Sequence, residues 1–153
     1  MISEKHLIAE HILFEEIKNQ LAAGRMISFT VTGMSMWPFL CHGRDQVVIK
    51  LLGEEKLKKG DIILFQTSNG KYILHRITRI KDDKIQTTGD GNYYHDGWIT
   101  KECVIAKVDH IMRKGQKILM TDHKWRVLSD LWMRLFFIRK FLISGYLKLK
   151  WKK

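Results

Sequence analysis

Apolar positions near the start of the chain recur at helical spacing. Leu7, Ile8, Leu13, Phe14, Ile17 and Leu21 form a stripe, with Ser3 placed to cap its start and Gly24 to stop it. Residues 1 to 25 are therefore expected to form an amphipathic helix, with His6, Glu10 and Lys18 turned outward. From Met26 the period falls to two. Ile27, Phe29 and Val31 alternate with Ser28, Thr30 and Thr32, the pattern of a half-buried strand. Further strands are expected at Gln46–Leu51, Asp61–Gln66, Lys71–Ile80, Ile85–Thr88, Val104–Met112 and Lys117–Met120. Turns are expected at Ser68-Asn69-Gly70, Asp82-Asp83 and Lys114-Gly115. Residues 26 to 120 thus read as one mainly β body, preceded by a helix and followed by an apolar, basic tail over 121 to 153.

A chain of 153 residues suffices for one domain with a real core. Its net charge of +11 points to anionic surroundings or partners. That charge is uneven: beyond Leu131, Arg134, Arg139, Lys140, Lys148, Lys150, Lys152 and Lys153 occur with no acidic residue among them. Two cysteines, Cys41 and Cys103, are too few for a disulfide framework and are expected as free thiols. The first twenty residues carry acids and lack an apolar core segment, so no secretory signal is expected. No run of eighteen apolar residues predicts a spanning helix. A cytoplasmic place, or a peripheral one on the inner membrane surface, follows as the expectation.

Candidate chemistry centres on the stretch Thr32-Gly33-Met34-Ser35-Met36-Trp37-Pro38, which follows the first strand and holds the only proline. Ser35 alone is an ordinary loop serine. His75 shares a strand face with Ile73 and Ile77, opposite Tyr72, Leu74 and Arg76, a setting that suits a core histidine equally well. A serine nucleophile needs a base within hydrogen-bond reach and a group that orients that base. The chain offers Ser35, His75, Asp90 and Asp96 for these parts, without showing that they meet.

Gly33-Met34-Ser35-Met36-Trp37-Pro38 resembles the Gly-x-Ser-Met-x-Pro box of type I signal peptidases and the self-cleaving repressor peptidases. Gly60-Asp61-Ile62-Ile63-Leu64-Phe65 resembles their next strand, Leu74-His75-Arg76-Ile77 the block that holds the general base, and Thr88-Gly89-Asp90-Gly91-Asn92 with Asp96 a later block. Val104-Ile105-Ala106-Lys107-Val108 resembles the closing strand. The boxes follow the family order across about residues 30 to 110. A histidine at the base position is similar to the endoplasmic-reticulum-type branch, which uses Ser-His-Asp where most bacterial members use Ser-Lys.

The resemblance implies a coiled β-sheet peptidase body and a serine endopeptidase cleaving a leader or precursor peptide bound as an extended strand, without cofactor or metal. Ser35 would be nucleophile and His75 general base. Matching the block residue by residue puts Asp96 at the orienting position and Asp90 at the Gly-Asp-x-Asn position, structural or sharing the role. The Ser35 amide would serve the oxyanion, and Gly33 stands where many bacterial members carry a second, hydroxyl donor. Gly33, Met34, Met36, Trp37 and Pro38 would adjoin the substrate. Met36, Trp37, Phe39 and Leu40 fit a groove floor or the core.

The resemblance stops at the N-terminus, where the family carries a membrane span and this chain has Glu15-Glu16-Ile17-Lys18-Asn19-Gln20. The tail is the other route to a membrane. It is read either as a helix lying on an anionic surface or as one packed on the β body or a partner. Other readings are a non-catalytic binding or oligomerisation module of the same fold, and nucleic-acid binding by the tail, disfavoured because no recognised motif accompanies the charge. A metal site using His75, His95, Asp90 and Asp96 lacks ligand spacing, and His95 is expected as an exposed loop residue.

Overall fold

A computed structural model describes residues 4 to 151 of the chain. The expected cap at Ser3 and the basic Lys152 and Lys153 lie outside the described residues, as do the side chains of His6 and Glu10. The elements run α1 (Glu4–Ala22), β1 (Ile27–Thr30), β2 (Asp45–Lys50), β3 (Ile62–Gln66), β4 (Tyr72–Lys81), β5 (Lys84–Thr88), β6 (Trp98–Thr100), β7 (Val104–Arg113), β8 (Gln116–Leu119), α2 (His123–Arg134) and α3 (Arg139–Trp151). Short 3₁₀ turns at Lys101–Cys103 and Phe136–Ile138 precede β7 and α3.

The strands form one eight-stranded sheet in the order β1-β2-β7-β3-β4-β5-β6, with β8 paired to β7. All pairings are antiparallel. The fold is thus mainly antiparallel β with a helix at its start and helices at its end, in line with the hydropathy pattern. The sheet bends where the register shifts, at Val48/Ile49, Leu64/Phe65 and Ile77/Arg79.

Both faces of β3 and β4 are covered. Ile62 and Leu64 join Val47, Ile49, Ala106, Val108 and Ile111 in the larger core, with Tyr72 and Leu74 against it. Ile63, Phe65, Ile77 and Ile85 form a second core, with Ile73 and Val104 against it. Two cores on opposite faces explain why β3 is almost uniformly apolar while β1, covered on one side, alternates.

α1 docks through its C-terminal half. Ile17 and Leu21 are buried, and the Phe14 ring stacks on Tyr72 at 3.8 Å. Leu13, expected in the buried stripe, is exposed, because it lies at the margin of the face that meets the sheet. Strand β6 is a further departure: Trp98–Thr100 is too short, and too exposed at both ends, to leave an alternating signature.

The tail is two helices rather than one. Asp122 caps α2, its carboxylate accepting the Trp125 N–H at 3.0 Å. Trp125 is buried against the larger core and meets Phe39 edge-on at 5.1 Å. Arg139 and Ile143, four positions apart on α3, are buried. The described tail therefore packs on the β body, as one of its expected readings had it.

Candidate active site

The serine box begins where β1 ends. Gly33 has φ of +78°, a conformation that costs a residue with a Cβ, and its N–H donates to His42 Nδ1 at 3.1 Å. The chain then turns back on itself, with Trp37 N–H donating to Met34 O and Leu40 N–H to Met36 O. The Trp37–Pro38 peptide is cis. Met36, 2% exposed, and Leu40 are packed in the larger core, the second of the two places the sequence allowed them. Gly33 and Met34 are exposed, and Ser35, Trp37 and Pro38 are half-buried.

The far end of the box is fixed by Asp45, fully buried at the start of β2. Its carboxylate accepts from Arg44, from Arg113 on β7 and from the Cys41 N–H, while Arg113 Nη2 also donates to Phe39 O at 2.6 Å. Burial alone would raise the Asp45 pKa. The hydrogen bonds from Arg44, Arg113 and Cys41 outweigh it and hold the carboxyl well below the usual carboxylate range.

His75 lies on β4, 5% exposed, facing the loop after β5. Its Nδ1 stands 2.6 Å from Asp96 Oδ2. The same oxygen accepts the Thr87 hydroxyl at 2.6 Å, and the Asp96 N–H donates to Thr87 O at 2.9 Å. Asp96 is thus held at both backbone and side chain. A carboxylate at Nδ1 sets the neutral imidazole with its proton there and leaves the Nε2 lone pair free.

That nitrogen faces Gly89. A methyl group on Gly89 would lie 2.8 Å from His75 Nε2 and 2.8 Å from Asn92 Nδ2, and would collide with Ser35 O. One bare Cα therefore separates the base from the serine segment. Gly91 plays a similar part: its N–H donates to Ser35 O at 2.7 Å, and a Cβ there would sit 2.5 Å from Met34 O. The Ser35 amide has no acceptor and its hydroxyl no partner among the described residues, so the Ser35 Oγ to His75 Nε2 hydrogen bond is not formed.

Asp90 has a different partner. It is buried against Arg76, which donates from Nε at 2.9 Å and from Nη2 at 2.7 Å, while Arg76 Nη1 reaches Gly60 O at 2.9 Å. The two aspartates are thereby separated by partner: Asp96 meets the base, and Asp90 ties the block to Arg76 on β4 and, through it, to Gly60 just before β3.

Residues beyond the body complete the block. Trp132 Nε1 donates to Asp90 O at 2.8 Å, and Arg139, 1% exposed, donates to Gly89 O at 3.3 Å and Trp132 O at 3.0 Å. Burial pushes the Arg139 guanidinium below its ordinary value; neighbouring Asp90 opposes this and Arg76 adds to it. His95, expected in an exposed loop, is half-buried instead: it stacks on Phe136 at 4.2 Å and shares a 2.7 Å hydrogen bond with Thr88 Oγ1. Burial lowers its pKa, helped by Arg79 and Arg139 and opposed by Asp96. Thr87, Gly89, Gly91, Trp132 and Arg139 are the site residues that sequence reasoning missed. Only the glycines had a local signal, in Gly89-Asp90-Gly91.

No group of three His, Cys, Asp or Glu side chains among the described residues is arranged to hold a metal. Cys41 and Cys103 are free thiols. Surface clefts of about 610 and 460 Å³ open elsewhere, beside Trp98 and beside Lys107, and take in neither Ser35 nor His75. No protein-family model matches the chain, and no curated protein matches it.

Proposed function

We propose that the chain is a serine endopeptidase of signal-peptidase type that cleaves a leader or precursor peptide. The observation that carries this reading is the pair formed by His75 Nδ1 and Asp96 Oδ2 at 2.6 Å, with Nε2 turned to the Gly89–Ser35 gap. In the proposed step Ser35 Oγ attacks the scissile carbonyl carbon while His75 Nε2 takes the hydroxyl proton. Asp96 stabilises the imidazolium so formed. The unpartnered Ser35 amide is a donor for the developing oxyanion. Collapse of the tetrahedral intermediate breaks the C–N bond, His75 gives the proton to the departing amine, and water returns Ser35 by the same route. The Ser35 Oγ to His75 Nε2 hydrogen bond would form in the substrate complex, where such bonds commonly tighten.

A second reading is a binding module of the same fold without turnover, favoured by the unmade Ser35–His75 hydrogen bond. Digestion of a diverse synthetic peptide library, read by mass spectrometry, separates the two. The peptidase reading expects discrete cleavage that disappears in Ser35→Ala. Absence of cleavage, or cleavage that survives that substitution, contradicts it.

A further inference from the structure

We propose that the outward face of the C-terminal helices, centred on Phe137 and Phe141, docks on a lipid bilayer carrying anionic headgroups. Phe137 is 86% exposed and Phe141 75% exposed, four positions apart on the side away from buried Arg139 and Ile143. Ile138, Leu142 and Tyr146 follow at the same spacing, and Val127, Leu128 and Leu131 are exposed on α2. Exposed apolar side chains gathered at this density in one segment mark an interaction face.

The charge around the face selects lipid over another protein surface. Arg134, Lys140 and Lys148 are exposed on the same segment, and no acidic residue occurs from Leu131 to Lys153. Lys148 lies seven positions beyond Phe141, two turns along the same face. Aromatic side chains among lysines and arginines suit the headgroup boundary, with the rings in the acyl region and the cations at the phosphates. No helix of the described residues is long and apolar enough to cross a membrane, so the face would lie on the bilayer.

The docking face is joined to the candidate site. Tyr146 packs on Trp37 at 4.9 Å, two residues beyond Ser35, and Met34 is exposed beside it. A bound bilayer would therefore border the serine box, and the peptide would be met at the membrane surface. Only that consequence rests on the peptidase reading.

Co-sedimentation of the full chain with vesicles tests the proposal. The wild type should bind an equal mixture of phosphatidylcholine and phosphatidylglycerol in preference to phosphatidylcholine alone, with binding weakened by salt. Phe137→Glu with Phe141→Glu should lose about tenfold or more in affinity, and Lys140→Gln with Lys148→Gln should lose the preference for the anionic mixture. Ser35→Ala should bind as the wild type does, which keeps this test separate from the peptidase reading. Thermal unfolding checks each fold, and Phe137→Ser with Phe141→Ser replaces the glutamate pair if that pair fails to fold. Failure of the wild type to bind, binding retained by the folded double variant, or a lipid-independent dimer that the double variant dissolves would overturn the proposal.

Discussion

His75 Nδ1 and Asp96 Oδ2 stand 2.6 Å apart across 21 positions of sequence, and Thr87 donates to the same carboxylate oxygen. Asp90 lies six residues before Asp96 but is buried against Arg76 on the other side of the loop. The two acids thus invite opposite responses to the same substitution. Asp96→Asn should preserve the fold and lower kcat by about 10⁴-fold, as expected when the base loses its tautomer control. Asp90→Asn should act on stability, since it leaves a buried guanidinium uncompensated, at a cost of about 3–5 kcal/mol. Steady-state kinetics and thermal unfolding of both variants, side by side, check the assignment.

Gly89 fills the gap between the serine segment and the base, and Ser35 O is backbone that cannot swing aside. Gly89→Ala should therefore separate Ser35 from His75. A displacement near 1 Å is expected to reduce kcat by about 10²-fold. Single-turnover cleavage would read it, and a variant as active as the wild type would contradict the close approach.

Asp45 anchors the far end of the serine box and should govern acid stability. Its folded pKa is depressed, so its contribution is fully present above the ordinary carboxylate value of 3.8 and is lost as pH falls below that value toward the folded one. Asp45→Asn should cost about 3 kcal/mol at neutral pH, and the gap to the wild type should narrow below about pH 4. Urea unfolding at a series of pH values measures it; a gap that widens on acidification would contradict the sign.

The C-terminal helices should matter to catalysis through Gly89 and Asp90. Trp132→Phe keeps an aromatic ring but removes the 2.8 Å hydrogen bond to Asp90 O. The expected cost is about 1 kcal/mol in stability, with a fall in kcat and little change in KM, because the block that carries Asp96 loosens while the Met34–Trp37 surface stays. Equal loss in kcat and KM terms would point to a merely structural role.

The hydropathy pattern carried β1 to β5, β7 and β8 to within a residue or two, because each strand alternates or runs apolar against a core. It missed β6, whose three residues are mostly exposed. The motif order brought Ser35, His75 and Asp96 forward as candidates, but left Asp90 and Asp96 as rivals. The partner that separates them, Arg76 against His75, is fixed by which face of β4 each residue takes. Arg139 and Trp132 were illegible for another reason: nothing local tells a basic or aromatic tail residue that its partner is a backbone carbonyl 50 or 42 positions away. Met36 reads equally as groove or core until its burial is known.

The central claim is that His75, held by Asp96, activates Ser35. Incubation with a fluorophosphonate serine probe, followed by intact-mass and peptide mapping, tests it most directly on the wild type, Ser35→Ala, His75→Ala and Asp96→Asn. The account predicts one adduct per wild-type chain, at Ser35, absent from Ser35→Ala and slowed at least about 10³-fold in His75→Ala. An unlabelled wild type, or a rate of labelling indifferent to His75, would contradict it.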